Sequence, residues 1–61
     1  MKHVVGFRLE GTGDLFKMVK MAHLPEKGDW IKVDKFNYLI KARTFVIAGN
    51  VEVIFDVEKF D

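Results

Sequence analysis

Catalysis and metal binding need nucleophiles, proton carriers or ligands, and this chain holds few of them. It contains no serine, cysteine or glutamine. The hydroxyl candidates are Thr12 in a glycine-flanked turn, Thr44 and Tyr38, and none stands in a nucleophile motif. Proton transfer would fall to His3, His23 or paired carboxylates in a cleft. If the first two strands pair with a bulge after Val19, His3 lies opposite His23, and Glu26 or Asp29 completes a metal shell. Metal sites normally converge three or four ligands, so both histidines are expected at exposed strand ends, without a metal. Gly11-Thr12-Gly13 lacks the Lys-Ser/Thr ending and the following helix of a phosphate loop, and reads as a turn. No catalytic residue, cofactor or small-molecule substrate is expected.

Binding chemistry is better supplied. Basic and aromatic residues interleave at Trp30, Lys32, Lys35, Phe36, Lys41, Arg43 and Phe45. Small β-barrels hold single-stranded nucleic acid on such surfaces, stacking bases on aromatics and tracking phosphates with lysines. Lys17, Lys20, Lys32, Lys35 and Phe36 would form that platform. Against it, ten basic residues are offset by nine acidic ones, for a net charge of +1. A field that balanced does not by itself point to a polyanion.

The elements that position these residues read as strands. Lys2 to Glu10 alternates, with His3, Val5, Phe7 and Leu9 on one parity. Gly11 to Asp14 is a turn cluster. Leu15 to His23 is either a strand with a bulge near Lys20 or, on the spacing of Leu15, Met18, Val19 and Ala22, a helix. Leu24 to Asp29 is a loop in which Pro25 stops pairing and Gly28 permits positive φ. Trp30 to Val33 is a short strand, Asp34-Lys35 begins a tight turn, and Tyr38 opens a long fourth strand. A two-residue turn at Gly49-Asn50 gives the fifth. In that register Val46 faces Val53, Thr44 faces Phe55 and Ala42 faces Val57. On the other face Arg43 meets Asp56, Lys41 meets Glu58 and Phe45 meets Ile54, so opposite charges meet twice.

These elements make one small domain over residues 1–61, which buries only about 60% of its unfolded surface. Without cysteine it has no disulfide to help, and an apolar share of 49% argues against disorder. The expected fold is all-β: five antiparallel strands closed into a small barrel or a strongly curled sheet. Its interior is expected to hold Val5, Phe7, Leu9, Val19, Met21, Ile31, Val33, Tyr38, Ile40, Ala42, Val46, Val51, Val53, Phe55 and Val57. No apolar run is long enough to span a membrane, and Arg8 and Glu10 interrupt any leader-like apolar stretch. A cytoplasmic protein is the default expectation.

Leu24-Pro25-Glu26-Lys27-Gly28-Asp29-Trp30-Ile31-Lys32-Val33-Asp34, followed by Asn37-Tyr38-Leu39-Ile40, resembles a pattern of small SH3-like barrels, many of them short bacterial or phage proteins. There a Pro-x-x-Gly-Asp/Glu loop leads into a strand, a tight turn and a Tyr-x-hydrophobic strand. The resemblance covers residues 15 to 58 and implies no catalytic residue. The family usually has Gly after the turn Asp, where this chain has Lys35.

One feature of the alternation carries a functional expectation. Trp30, Leu39, Phe45, Ile47 and Ile54 fall opposite the assigned interior. On neighbouring strands they would form one exposed apolar patch, rimmed by Lys32, Lys41, Arg43, Asp56 and Glu58. Such a patch usually marks an interface, and Trp is enriched among interface hot spots. The expected function is a non-catalytic protein-interaction module that self-associates or docks on a host protein. Nucleic-acid binding is the alternative.

Overall fold

The computed structural model describes residues 2–60. Five strands form a single sheet: β1 (His3–Leu9), β2 (Leu15–Met21), β3 (Trp30–Val33), β4 (Phe36–Phe45) and β5 (Val53–Phe60). The segment that also fitted a helical spacing is the strand β2. Among the described residues no helix is long and apolar enough to cross a membrane.

The strand order is β2-β1-β5-β4-β3, and the sheet curls strongly into a half-barrel. This is an up-and-down path whose first and last strands meet. With an odd number of alternating strands, those two must run the same way. The β1–β5 pair is accordingly parallel, with Val5 beside Val53, Phe7 beside Phe55 and Arg8 beside Asp56. The expectation of wholly antiparallel pairing is corrected at this one seam, while the β1–β2, β3–β4 and β4–β5 ladders are antiparallel. The curl leaves β2 and β3 as the two edges.

Two bulges set which side chains face inward. Phe7 pairs with Lys17 but Arg8 with Leu15, so Phe16 is the extra residue of β2. That places the bulge at Phe16, away from the expected Lys20. Ile40 pairs with Val57 and Ala42 with Asp56, so Lys41 is extra in β4. A bulge bends its strand and shifts the parity of everything beyond it. Up to Ile40 the even positions of β4 point inward. Beyond Lys41, Arg43 pairs with the buried Phe55 and Phe45 with the buried Val53.

The β4–β5 connection is also longer than a two-residue turn. Residues 46–52 form a loop, closed by the Val46 N–H donating to the Glu52 carbonyl at 2.8 Å. The Glu52 N–H in turn donates to the Val4 carbonyl at 2.9 Å, tying the loop to β1. The tight turn expected at Asp34-Lys35 is present, between the paired Val33 and Phe36. Asp34 takes φ 57°, a left-handed conformation that Asp tolerates better than most residues. A glycine after it is not needed. The loop before β3 turns at Gly28, with φ 95°, and the Gly28 N–H donates to the Ile40 carbonyl at 2.9 Å.

The concave face holds the core: Val5, Phe7, Tyr38, Ile40, Val53, Phe55 and Val57. All seven belong to the interior expected from alternation. Leu9, Val19, Met21, Leu24, Ile31, Val33 and Phe36 pack against them partly buried. Phe7 and Phe55 stack at 5.6 Å between centroids, and Phe16 caps the cluster by stacking on Tyr38 at 5.3 Å. Ala42, Val46 and Val51 are half-buried but lie outside this cluster, because each follows the Lys41 bulge or sits in the loop.

Candidate interaction surface

On the convex face, β3 presents Trp30 and Lys32 while Ile31 and Val33 turn inward. Trp30 pairs with Leu39 and is 60% exposed. Its indole meets the Phe60 ring edge-on at 5.0 Å, a favoured aromatic geometry. Trp30, Leu39 and Phe60 therefore form one apolar surface at the β3–β4–β5 end. Extending the β5 alternation two residues beyond Glu58 would have added Phe60 to it.

The expected five-residue patch does not form. Ile54 shares the convex face, but the Arg8–Asp56 and Lys41–Glu58 pairs stand between it and Leu39 along the ladder. Ile54 lies beside Gly6. There the missing side chain makes room for Leu15, whose methyl groups would stand 3.0 Å from an added Cβ. Phe45 is on the opposite face of β4, for the parity reason given above, and is 58% exposed at the barrel mouth. Arg43 moves with it: its guanidinium lies over the Phe45 ring at 5.2 Å and donates to the Pro25 carbonyl at 3.2 Å. Ile47 sits in the loop, 97% exposed. Phe45 and Ile47, with Leu24, Val46 and His3, line a shallow depression of about 490 Å³.

The charge pairs follow the same correction. Asp56 meets Arg8 across the parallel seam rather than Arg43, in a two-pronged contact that includes Nη2 to Oδ2 at 3.1 Å. Lys41 does meet Glu58, at 3.6 Å, but from the bulge, since the residue opposite Glu58 in the ladder is Leu39. The Arg8 guanidinium, mainly through its hydrogen bonds, holds the Asp56 carboxyl below the usual carboxylate range. Below its ordinary pKa the unfolded chain then binds a proton that the folded chain does not. Stability from this pair is complete above about pH 4 and is lost as pH falls through the folded value. Urea midpoints at pH 7 and pH 3 check this: Asp56→Asn should narrow the drop between them. An equal drop in both proteins would deny the pair any part in acid sensitivity.

The histidines do not converge. His3 pairs with Met21 rather than His23, and its Nδ1 lies 3.2 Å from a Glu52 carboxylate oxygen. The Val4 N–H donates to the same oxygen at 3.0 Å. Among the described residues no three His, Asp or Glu side chains gather where they could hold a metal ion.

The lysines of the alternative reading gather at the two sheet edges. Lys17 and Lys20 lie on β2, Lys32 on β3 and Lys35 in the turn after it. Phe36 is half-buried against the core and covered by the Lys59 ammonium, 3.8 Å from its ring centroid. No family model, curated protein or solved structure matches the chain.

Proposed function

We propose that this protein is a non-catalytic interaction module that self-associates or docks on another protein through the Trp30–Leu39–Phe60 surface. The observation that carries this reading is the indole of Trp30, left 60% exposed on a small curled sheet. Lys32, Lys41 and Glu58 border that surface. Large exposed aromatics set among polar neighbours are the usual centre of a protein interface. Arg43 belongs to the barrel mouth and has no part in this rim.

A second copy is the partner to test first. Light scattering across a concentration series should show the mass rising above the 7.1 kDa of one chain. Association driven by apolar burial should persist or strengthen in ammonium sulfate. Binding to nucleic acid should instead weaken steeply as salt rises. A particle that stays monomeric to millimolar concentration removes self-association from the proposal. Salt-sensitive capture of single-stranded DNA would favour the alternative.

A further inference from the structure

The half-barrel is open between its two edge strands. No Cα of β2 comes within 8 Å of one in β3, whereas paired strands stand about 4.8 Å apart. The edges are therefore too far apart to bond each other. A strand added between two edges needs them two strand spacings apart, roughly 9.6 Å. Between the edges lies an open groove of about 230 Å³, with Phe7 at its floor, Val19, Met21, Ile31 and Val33 along its walls, and Lys17, Lys32 and Asp34 also lining it. Neither β2 nor β3 has a sheet partner on its outer side.

We propose that this opening is a strand-addition site that takes an extended segment of a partner protein, alternating apolar and acidic residues. A strand lying there would be antiparallel to one edge and parallel to the other, since β2 and β3 run in opposite directions. Its backbone would pair with the free edge groups, as in other β-augmentation complexes. Alternate side chains would then point to opposite faces. The inward set would meet the apolar walls and, at one end, Lys17, which shares the concave face with its ladder partner Phe7. The outward set would pass between Lys20 of β2 and Lys32 of β3, which both lie on the convex face.

Charge selects the occupant. β2 and β3 contain three lysines, Lys17, Lys20 and Lys32, and no acidic residue, so the lysines outnumber Asp34, the one carboxylate lining the groove. The edges of a second copy would bring like charge against like charge, which opposes symmetric edge pairing. The protein's own β5 shows the composition that suits basic neighbours. It turns Val53, Phe55 and Val57 inward and offers Asp56 to Arg8 and Glu58 to Lys41. A ligand strand of the same kind fits the gap. This proposal stands on the edges and the groove, and does not depend on the Trp30 surface.

The test uses a fluorescein-labelled, end-capped peptide of four Glu-Val repeats, titrated into the full chain and followed by anisotropy. Saturable binding is expected, at least tenfold tighter than to a peptide of four Glu followed by four Val. Amide hydrogen exchange in β2 and β3 should slow at least tenfold when the peptide is bound. The double variant Lys20→Glu, Lys32→Glu should lose the acidic peptide and gain one of four Lys-Val repeats. That gain cannot come from an unfolded protein. Equal affinity for the alternating and block peptides overturns the proposal. So does protection that misses both edges, or an oligothymidylate of matched charge that outcompetes the peptide.

Discussion

Replacing Phe55 by Ala should leave much of the population unfolded at room temperature. Phe55 is fully buried at the centre of the sheet, stacked on Phe7 across the parallel β1–β5 seam. Removing a buried Phe side chain costs about 3–5 kcal/mol through lost transfer energy and the cavity left behind. At ~0.05–0.15 kcal/mol per residue, a domain of this length has only about 3–9 kcal/mol in hand. The melting temperature followed by circular dichroism should fall on the order of 20 °C. Phe55→Leu keeps most of the volume and should cost far less. Val46→Ala is the matching contrast, because alternation alone places Val46 in the same core. The structure leaves Val46 half-buried at the start of the loop, so its truncation should cost below about 1 kcal/mol. Equal losses at Phe55 and Val46 would contradict the parity change at Lys41.

That contrast shows what the sequence makes legible. Period-two alternation identifies the fold class, the strands and all seven buried core residues, because each strand carries one buried and one exposed face. It does not reveal a bulge. Nothing about Lys41 as a residue type marks it as the extra position, yet from there to Phe45 the inward set changes from even to odd. Arg43 and Phe45 move to the barrel mouth with that change. A hairpin register pairs Arg43 with Asp56 on local spacing alone. The actual partner, Arg8, lies 48 residues away. Finding it requires seeing that an odd-numbered up-and-down sheet closes with its ends parallel. Strand directions alone imply that closure, whereas the spacing of residues within the last hairpin does not. Alternation puts Trp30 on the convex face because β3 has no bulge and is too short to drift out of phase.

The same parity change makes the interface test sharper, since Trp30 and Phe45 no longer belong to one surface. Trp30→Ala should weaken self-association at least ~30-fold, the loss expected when a hot-spot aromatic worth about 2 kcal/mol is truncated. The fold should tolerate it. The side chain is mostly exposed, and its contact with Phe60 is worth roughly 0.5–1.5 kcal/mol. The far-ultraviolet spectrum should stay unchanged while light scattering reports a smaller particle. Phe45→Glu acts on the opposite face of β4 and on the stacking with Arg43, so it should leave the mass unchanged. If Phe45→Glu dissociates the protein and Trp30→Ala does not, the contact lies at the barrel mouth around Ile47 and the convex surface is free. If neither variant changes the concentration dependence, the exposed indole is not what holds two copies together. Measuring both at matched protein concentration is essential, because an assembly that forms by mass action gains apparent stability from its own concentration.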